Sequence, residues 1–576
     1  MHLRKSRALV AGATSLGVVA LMGLALVTPG VAGATISSTR TPIQHLVVIF
    51  QENVSFDHYF GTYPNATNSS GQAFYPAKGT PRVNGLTPQL LTHNPNGANP
   101  RRLDPSNIND LLTCDQDHGY QAEQEAFNGG NMNRFPQSTG TGTGKSPTGQ
   151  PCQSSDVMNY YDGNTVTGLW NYAQHFAMND NSFGTTFGPS SPGAINLVSG
   201  DTGGVGQTIR GAGDPYPNGD VVPDGTGGST LVDDAQPFYD DCSTRDAASM
   251  TGKNVGDQLN SIGASWGWFQ GGFTSDAPYT GPTDTFQSYD PTSTTQVKVT
   301  CSASHPIGAA LGGTGQWGTK GDYIPHHEPF QYYASTANPH HLAPASLAVV
   351  GTDTASPGQF NTANHQYDMS TFDQLVAGIH NGQLSPSHLP AVSFLKAPGY
   401  EDGHAAYSDP IDEQNFVVNE VNSLEQLPTW SSTAVVVAYD DSDGFYDHVY
   451  SGVHNPSSGP ADALTGSGKC GNAAPNAANT LGGQLGRCGY GPRLPLLVIS
   501  PWARSNYVSH VLTDQSSILN FIQYNWSLGR ISGSFATVAG SLTNMFNFGP
   551  HGGDTPVVYL DPSTGQPALT PMFTAH

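Results

Sequence analysis

Three apolar runs in this chain end in residues that could hold a cation or move a proton. Residues 45–50, HLVVIF, are followed by Gln51-Glu52-Asn53. Residues 434–439, AVVVAY, are followed by Asp440-Asp441. Residues 391–395, AVSFL, lead into Gly399-Tyr400-Glu401-Asp402-Gly403-His404. Carboxylate and amide oxygens suit a hard or borderline divalent cation, and adjacent acids can share one. Asp-Asp pairs are usually solvated, and the chain also carries Asp233-Asp234 and Asp240-Asp241. Only Asp440-Asp441 directly follows a strong apolar run. The coincidence of oxygen ligands at two run ends points to a site.

A hydroxyl supplies the second element. In Thr186-Phe187-Gly188-Pro189-Ser190-Ser191-Pro192-Gly193-Ala194, Ser190 follows a Gly-Pro break, and a Pro then sits where a helix could start. Backbone N–H groups and the dipole at a helix N-terminus favour an anion, which suits a nucleophile attacking phosphorus. The spacing is not the G-x-S-x-G elbow. A plain Ser N-cap is the commoner meaning of such a pattern. Histidine is the third element: His118, the doublet His326-His327, His404 and His448. A lone histidine is more often structural, and His448, beside Asp447, is expected to be locked by a hydrogen bond.

The elements that must position these residues follow from the apolar pattern. Runs at 45–50, 264–270, 391–395, 434–439 and 494–500 are continuous rather than alternating, as in strands covered on both faces. Helical periodicity lies between them at 165–176, 368–379, 413–424 and 516–526. Strands separated by helices imply an α/β fold, a largely parallel sheet flanked by helices. Ligands to such a sheet bind beyond the carboxyl ends of its strands, where the candidate residues stand. Gly/Pro/Ser/Thr-rich stretches at 62–110, 136–156, 200–235, 275–320 and 453–492 read as long loop insertions. The expected organisation is one large domain over 35–576, with a candidate cap from about 200–345.

The composition excludes some partners. The 576 residues include 21 Lys plus Arg against 44 Asp plus Glu, a formal charge of -23. That balance argues against nucleic acid, which needs a basic face, and against an anionic membrane surface. Arg4, Lys5 and Arg7, the apolar stretch Ala8 to Val27 and Ala32-Gly33-Ala34 predict a signal peptide over 1–34. The expected location is secreted, periplasmic or cell envelope, with no stable membrane span after removal. Six cysteines in an exported chain suggest disulfides, paired in sequence order. The 20 histidines nearly equal all Lys and Arg, so protonating them would nearly cancel the negative charge. An acidic activity optimum is expected on that ground.

Several blocks together resemble the bacterial phosphoesterase family, which belongs to the alkaline phosphatase superfamily and includes secreted phospholipases C and an acid phosphatase. Glu52-Asn53-Val54-Ser55-Phe56-Asp57-His58-Tyr59-Phe60-Gly61 is similar to its E-N-x-S-F-D-x-x-F-G signature. Asp440 through Val449 resembles its Y-D-D-x-x-G-x-x-D-H-V block, Gly491 through Trp502 its G-x-R-[LV]-P…S-P block, and Asp514-Gln515-Ser516-Ser517 its D-[HQ]-[ST]-S block. The resemblance implies an alkaline-phosphatase-like fold and one divalent metal on Glu52, Asn53, Asp440, Asp441 and Ser190; calcium, magnesium, manganese and zinc all suit oxygen ligands. It implies Ser190 as nucleophile, with His118, His326 or His327, and His404 around the phosphoryl group, and Asn53, His118 and His404 as substrate contacts. Phospholipase members usually read G-P-T-x-P-N-R at the nucleophile. Here Ser190 replaces the Thr and Gly193-Ala194 the N-R, which leans towards acid phosphatase. The expected partner is a small phosphorylated substrate; a phospholipid headgroup cleaved by a phospholipase C is the alternative, and a secreted phospholigand-binding protein without turnover is the rival of another class.

Overall fold

The computed structural model describes residues 38–140, 144–209, 219–287, 296–471 and 481–574. The expected signal segment, 1–34, lies outside them. Each apolar run becomes a strand of one eight-stranded sheet. In chain order its strands are β1 (His45–Gln51), β2 (Ala177–Asn179), β3 (Trp266–Gln270), β4 (Gln366–Asp368), β5 (Val392–Lys396), β6 (Thr433–Tyr439), β7 (Leu496–Ile499) and β8 (Tyr507–Ser509). They lie in the order β4-β3-β5-β1-β6-β7-β2-β8. All neighbours are parallel except β7, which opposes both β6 and β2. The fold is therefore α/β with a mostly parallel sheet.

The centre of this sheet is dry. Every residue of β1, β5 and β6 is buried, and each buried Val, Leu or Ile there contributes roughly 1.5–3 kcal/mol. Register then does the positioning. Gln51 pairs with Tyr439 across β1 and β6, so the next residues, Glu52 and Asp440, emerge side by side. β5 pairs Leu395 with Ile49, bringing Lys396 to the same edge.

The four expected helices form as α1 (Thr167–His175), α3 (Met369–His380), α4 (Pro410–Glu425) and α5 (Ser516–Asn525), with α2 (Ser190–Val198) between the first two. Helix α4 starts three residues before its apolar pattern does. The Asp409 side chain accepts from the Ile411 and Asp412 N–H groups, and Pro410 sits at the first helical position. Three strands escape the pattern, β2, β4 and β8, at three residues each. Between 200 and 345 the chain forms small sheets, among them the hairpin of Ser304–Pro306 with Thr319–Gly321. β3 also falls within that span. The cysteines pair in sequence order: Cys114–Cys152, Cys242–Cys301 and Cys470–Cys488.

A buried ion network holds the β1 end to the later blocks. Arg493 Nη2 lies 3.0 Å from Asp57 Oδ1 and 3.0 Å from Asp447 Oδ2. His448 Nδ1 lies 2.6 Å from Asp57 Oδ2, the lock expected for this histidine. Arg493 also stacks over the Phe56 ring at 4.3 Å. Two buried carboxylates thus share one guanidinium, and each would be costly without it.

Candidate active site

Ser190 opens α2 after Pro189, and its side chain is buried. Its Oγ donates at 3.0 Å to Glu52 Oε2 and lies 3.2 Å from Asp441 Oδ2. Two glycines permit this approach. Gly188 has φ +112°, a region that L side chains rarely adopt. A Cβ at Gly193 would lie 2.2 Å from the Asp440 carbonyl oxygen. Any side chain at position 193 would therefore collide with the Asp440 backbone.

The carboxylates are held from several sides. Asn53 sits at φ +49°, a left-handed conformation that Asn tolerates better than most residues. Its N–H donates to Asp440 Oδ1 at 3.2 Å, as does the Asp441 N–H at 2.7 Å. Gln515 Nε2 donates to the Tyr439 carbonyl at 3.1 Å and to that of Asp440, while its Oε1 accepts from Thr185 N–H at 3.0 Å. Gln515 so couples the Asp440 loop to the segment that leads to Ser190. Glu123 does the same from another side, accepting from Gly188 N–H at 3.0 Å and Ser442 Oγ at 2.8 Å. Lys396, at the end of β5, pairs directly with Glu52.

The histidines separate into two groups. His118 Nδ1 lies 3.0 Å from the Gln116 carbonyl and 3.2 Å from Asp443 Oδ1, and its Nε2 is 3.5 Å from Asn53 Nδ2. His404 faces it edge-on, ring centroids 5.9 Å apart. On the other side His327 Nδ1 lies 3.2 Å from Glu52 Oε1. His326 points away from Glu52, with its Nε2 3.8 Å from Asp234 Oδ2. The structure thus gathers Glu52, Asn53, Ser190, Asp440, Asp441, His118, His327 and His404, and sets His326 behind His327. Lys396 and Glu123 were not singled out from sequence, and Asp402, Asp234 and Gln515 stood there only as members of a run, an acid pair and a block. A lysine closing a strand and a glutamine in the D-Q-S-S block were the available signals.

The electrostatics bear on a metal. Burial, then the Asp440 charge, pushes the Glu52 carboxyl well above its usual range. The same two causes raise Asp441. Two buried oxygens, Asn53 Oδ1 and Asp440 Oδ2, have no hydrogen-bond partner. Crowded carboxylates with unpaired oxygens fit a hard divalent cation, whose charge would relieve the crowding. Burial opposes charge on His118, but Asp441, Asp443 and Asp115 together hold it well above the ordinary histidine value. Burial lowers His326 to about 3 and His404 to about 4. The charging in acid expected from the histidine count therefore bypasses these two.

Buried acids away from this carboxylate cluster fix a pH dependence of stability. Burial, then Asp409, raises Asp412 to about 10; burial, then an Asp246 hydrogen bond, raises Asp220 to about 9; burial raises Glu413 to about 8. The folded state holds these protons more tightly than the unfolded chain, so stability falls as pH rises towards those values. Buried His58, lowered to about 3, and His365, to about 4, act oppositely, but only below their unfolded value of about 6.5. The melting temperature is expected to fall steadily from about pH 6.5 to 9, by calorimetry on metal-free protein. A Tm at pH 9 equal to that at pH 6.5 would contradict it.

An α/β sheet with acids and a helix-start serine beyond its strand ends defines a hydrolase-like centre. Residues 43–529 match the phosphoesterase family, and the chain belongs to it. It is 25% identical over 538 residues to the non-hemolytic phospholipase C of Burkholderia pseudomallei, covering 90% of this chain and 61% of that protein. It is 22% identical over 525 residues to the hemolytic phospholipase C of Pseudomonas aeruginosa, covering 90% and 58%. It is 23% identical over 540 residues to phospholipase C A of Mycobacterium tuberculosis, covering 92% and 81%. The chain thus spans about three-fifths of the Burkholderia and Pseudomonas relatives.

Proposed function

We propose that this chain is a secreted, metal-dependent phosphoric ester hydrolase that acts through a phosphoserine at Ser190, on phospholipase C-type phosphodiesters. One observation carries the reading: a buried serine hydroxyl at a helix start, hydrogen-bonded to Glu52 and Asp441 beside the unpaired oxygens of Asn53 and Asp440. The diester preference is supported by the names of the relatives. Three disulfides and the apolar N-terminal stretch support secretion. Among the described residues no helix is long and apolar enough to cross a membrane.

Glu52, Asn53, Asp440, Asp441 and Ser190 would hold the metal, which when bound supplies Lewis-acid stabilisation of the phosphoryl oxygens and of the serine alkoxide. Ser190 Oγ attacks phosphorus as the bond to the leaving alcohol breaks, its proton passing to Glu52 Oε2, the acceptor it already faces, and returning to the serine when water cleaves the phosphoester. His118, paired with Asp443, gives that alcohol its proton. His404 keeps Nδ1–H on the Ala405 carbonyl at 2.5 Å, leaving Nε2 free to take a proton from the water that then cleaves the phosphoserine. Lys396 and His327 hold the Glu52 carboxylate in place.

Ser190 in place of Thr, with Gly193-Ala194 after it, favours a second reading, an acid phosphatase acting on monoesters. Short-chain phosphatidylcholine, p-nitrophenyl phosphorylcholine and p-nitrophenyl phosphate, offered to the metal-loaded protein between pH 4 and 9, separate the readings. Diester turnover is expected to exceed monoester turnover. The reverse order would move the assignment to the phosphatase, and phosphate binding without turnover would move it to a binding protein.

A further inference from the structure

One buried residue touches three of the segments that meet at Ser190. Glu123 is 1% exposed and stands on the helix Tyr120–Phe127, which begins two residues after His118. Its Oε2 accepts from the Gly188 N–H at 3.0 Å and its Oε1 from Ser442 Oγ at 2.8 Å. Pro189 has no N–H, so Gly188 carries the last backbone donor before Ser190. Ser442 directly follows Asp441, and its Oγ in turn accepts from the Gly444 N–H at 3.0 Å. The N–H of Glu123 itself donates to the Gly119 carbonyl at 3.1 Å, closing the turn after His118. The helix is clamped by the segments around the Cys470–Cys488 disulfide. Tyr120 OH donates to Asp462 Oδ1 at 2.7 Å and accepts from the Cys488 N–H at 2.8 Å. Gln124 Oε1 accepts from the Ala463 and Leu464 N–H groups at 2.9 and 3.1 Å. Glu123 thus projects from a fixed support, and both of its carboxylate oxygens are used.

We propose that Glu123 is a positioning residue of the reaction, holding the Ser190 segment, the Asp440–Asp441 loop and the His118 turn in one register. The inference rests on the reading of Ser190 as the nucleophile. In that reading Ser190 Oγ, the carboxylates it faces and His118 act on one phosphoryl group, and a shift of about 1 Å among them costs about 10²-fold in rate. A residue that bonds two of these segments through its carboxylate, and the third through its own backbone, limits such shifts. The role needs no charge. Burial raises the Glu123 carboxyl to about 8. Near neutral pH a glutamine therefore presents the same shape, accepting from Gly188 through its amide oxygen and donating to Ser442 Oγ, which can accept as well as donate.

Glu123→Ala should lower kcat about 100-fold with KM within about threefold of native, because the ester still binds while attack is misaligned. Glu123→Gln should bring kcat back to within about tenfold of native. Rates are read per folded molecule, with the folded fraction taken from melting curves, so that lost protein is not counted as lost positioning. Should Glu123→Ala not fold, Glu123→Asp is one methylene too short to span both partners and should lose at least about tenfold in kcat. Native kcat per folded molecule in these variants would overturn the proposal and leave the hydrolase reading standing. A loss in Glu123→Ala that Glu123→Gln does not restore would overturn it as well. Hydrogen exchange read by mass spectrometry keeps the two readings apart. Glu123→Ala should speed exchange in peptides spanning 186–190 and 440–445, and Glu123→Gln should not. That pattern upholds the register imposed by Glu123 even if the native protein hydrolyses no ester, and unchanged exchange in Glu123→Ala overturns it.

Discussion

Ser190→Ala is expected to lower kcat for any phosphoric ester by at least about 10⁴-fold while leaving the fold and the other four residues of the proposed metal site in place. The size follows from its place in the proposed sequence: without Oγ there is no covalent intermediate, and water would have to attack the ester directly. The structural cost is small because the side chain is one hydroxymethyl group whose Oγ bonds only to Glu52 and Asp441. The neighbouring Ser191 is no substitute, since its Oγ lies 3.1 Å from the Tyr332 hydroxyl, which in turn donates to the Ala235 carbonyl. Ser190→Thr keeps a hydroxyl and should retain measurable turnover. Acid quenching during turnover, followed by peptide mapping, should find phosphate on the peptide containing Ser190 in the native protein and none in Ser190→Ala. Near-native turnover by the alanine variant would remove the serine from the chemistry.

The strand-end acids were legible because a parallel sheet converts sequence position into location. A residue just after a buried apolar run must emerge at the carboxyl edge, and the Gln51–Tyr439 register does the rest for Glu52 and Asp440. Lys396 was hidden because it is the last residue of a strand, where a cation reads as a solvated end; the Glu52 carboxylate opposite, with Asp440 and Asp402 near it, explains its burial. Gln515 and Glu123 were hidden for another reason. They act on backbone groups of Asp440 and Gly188, and such contacts leave no pattern in side-chain chemistry. The histidine doublet was legible as a feature but not in its division of labour. Only the edge-on arrangement shows His327 against Glu52 and His326 against Asp234. The short strands β2, β4 and β8 lacked any run long enough to show periodicity, and their place in the sheet is set by neighbours distant in sequence.

The second large effect should come from a single atom. Asp440 Oδ1 accepts the Asn53 and Asp441 N–H groups, whereas Oδ2 is buried without a partner. Asp440→Asn can keep the first oxygen and its two bonds while replacing the second by an amide NH₂. The variant therefore separates support of the loop from metal binding. If Oδ2 is a metal ligand, the variant should lose bound metal, and activity should drop roughly 10³-fold, the several kcal/mol that a Lewis acid supplies to a phosphoryl transition state. Stability should move in the opposite direction. The Asp440 charge is one of the causes that hold Glu52 and Asp441 above their usual range, and removing it relieves that repulsion. The metal-free variant should then melt at or above the temperature of the metal-free native protein. Added divalent cation should raise the melting temperature of the native protein alone, because binding to the folded state stabilises only a chain that can bind. Elemental analysis, melting curves with and without chelator, and ester hydrolysis read the three effects independently. Retained metal and activity in Asp440→Asn would show that the unpaired oxygen is no ligand, and a large loss of stability without metal would show that its role is structural.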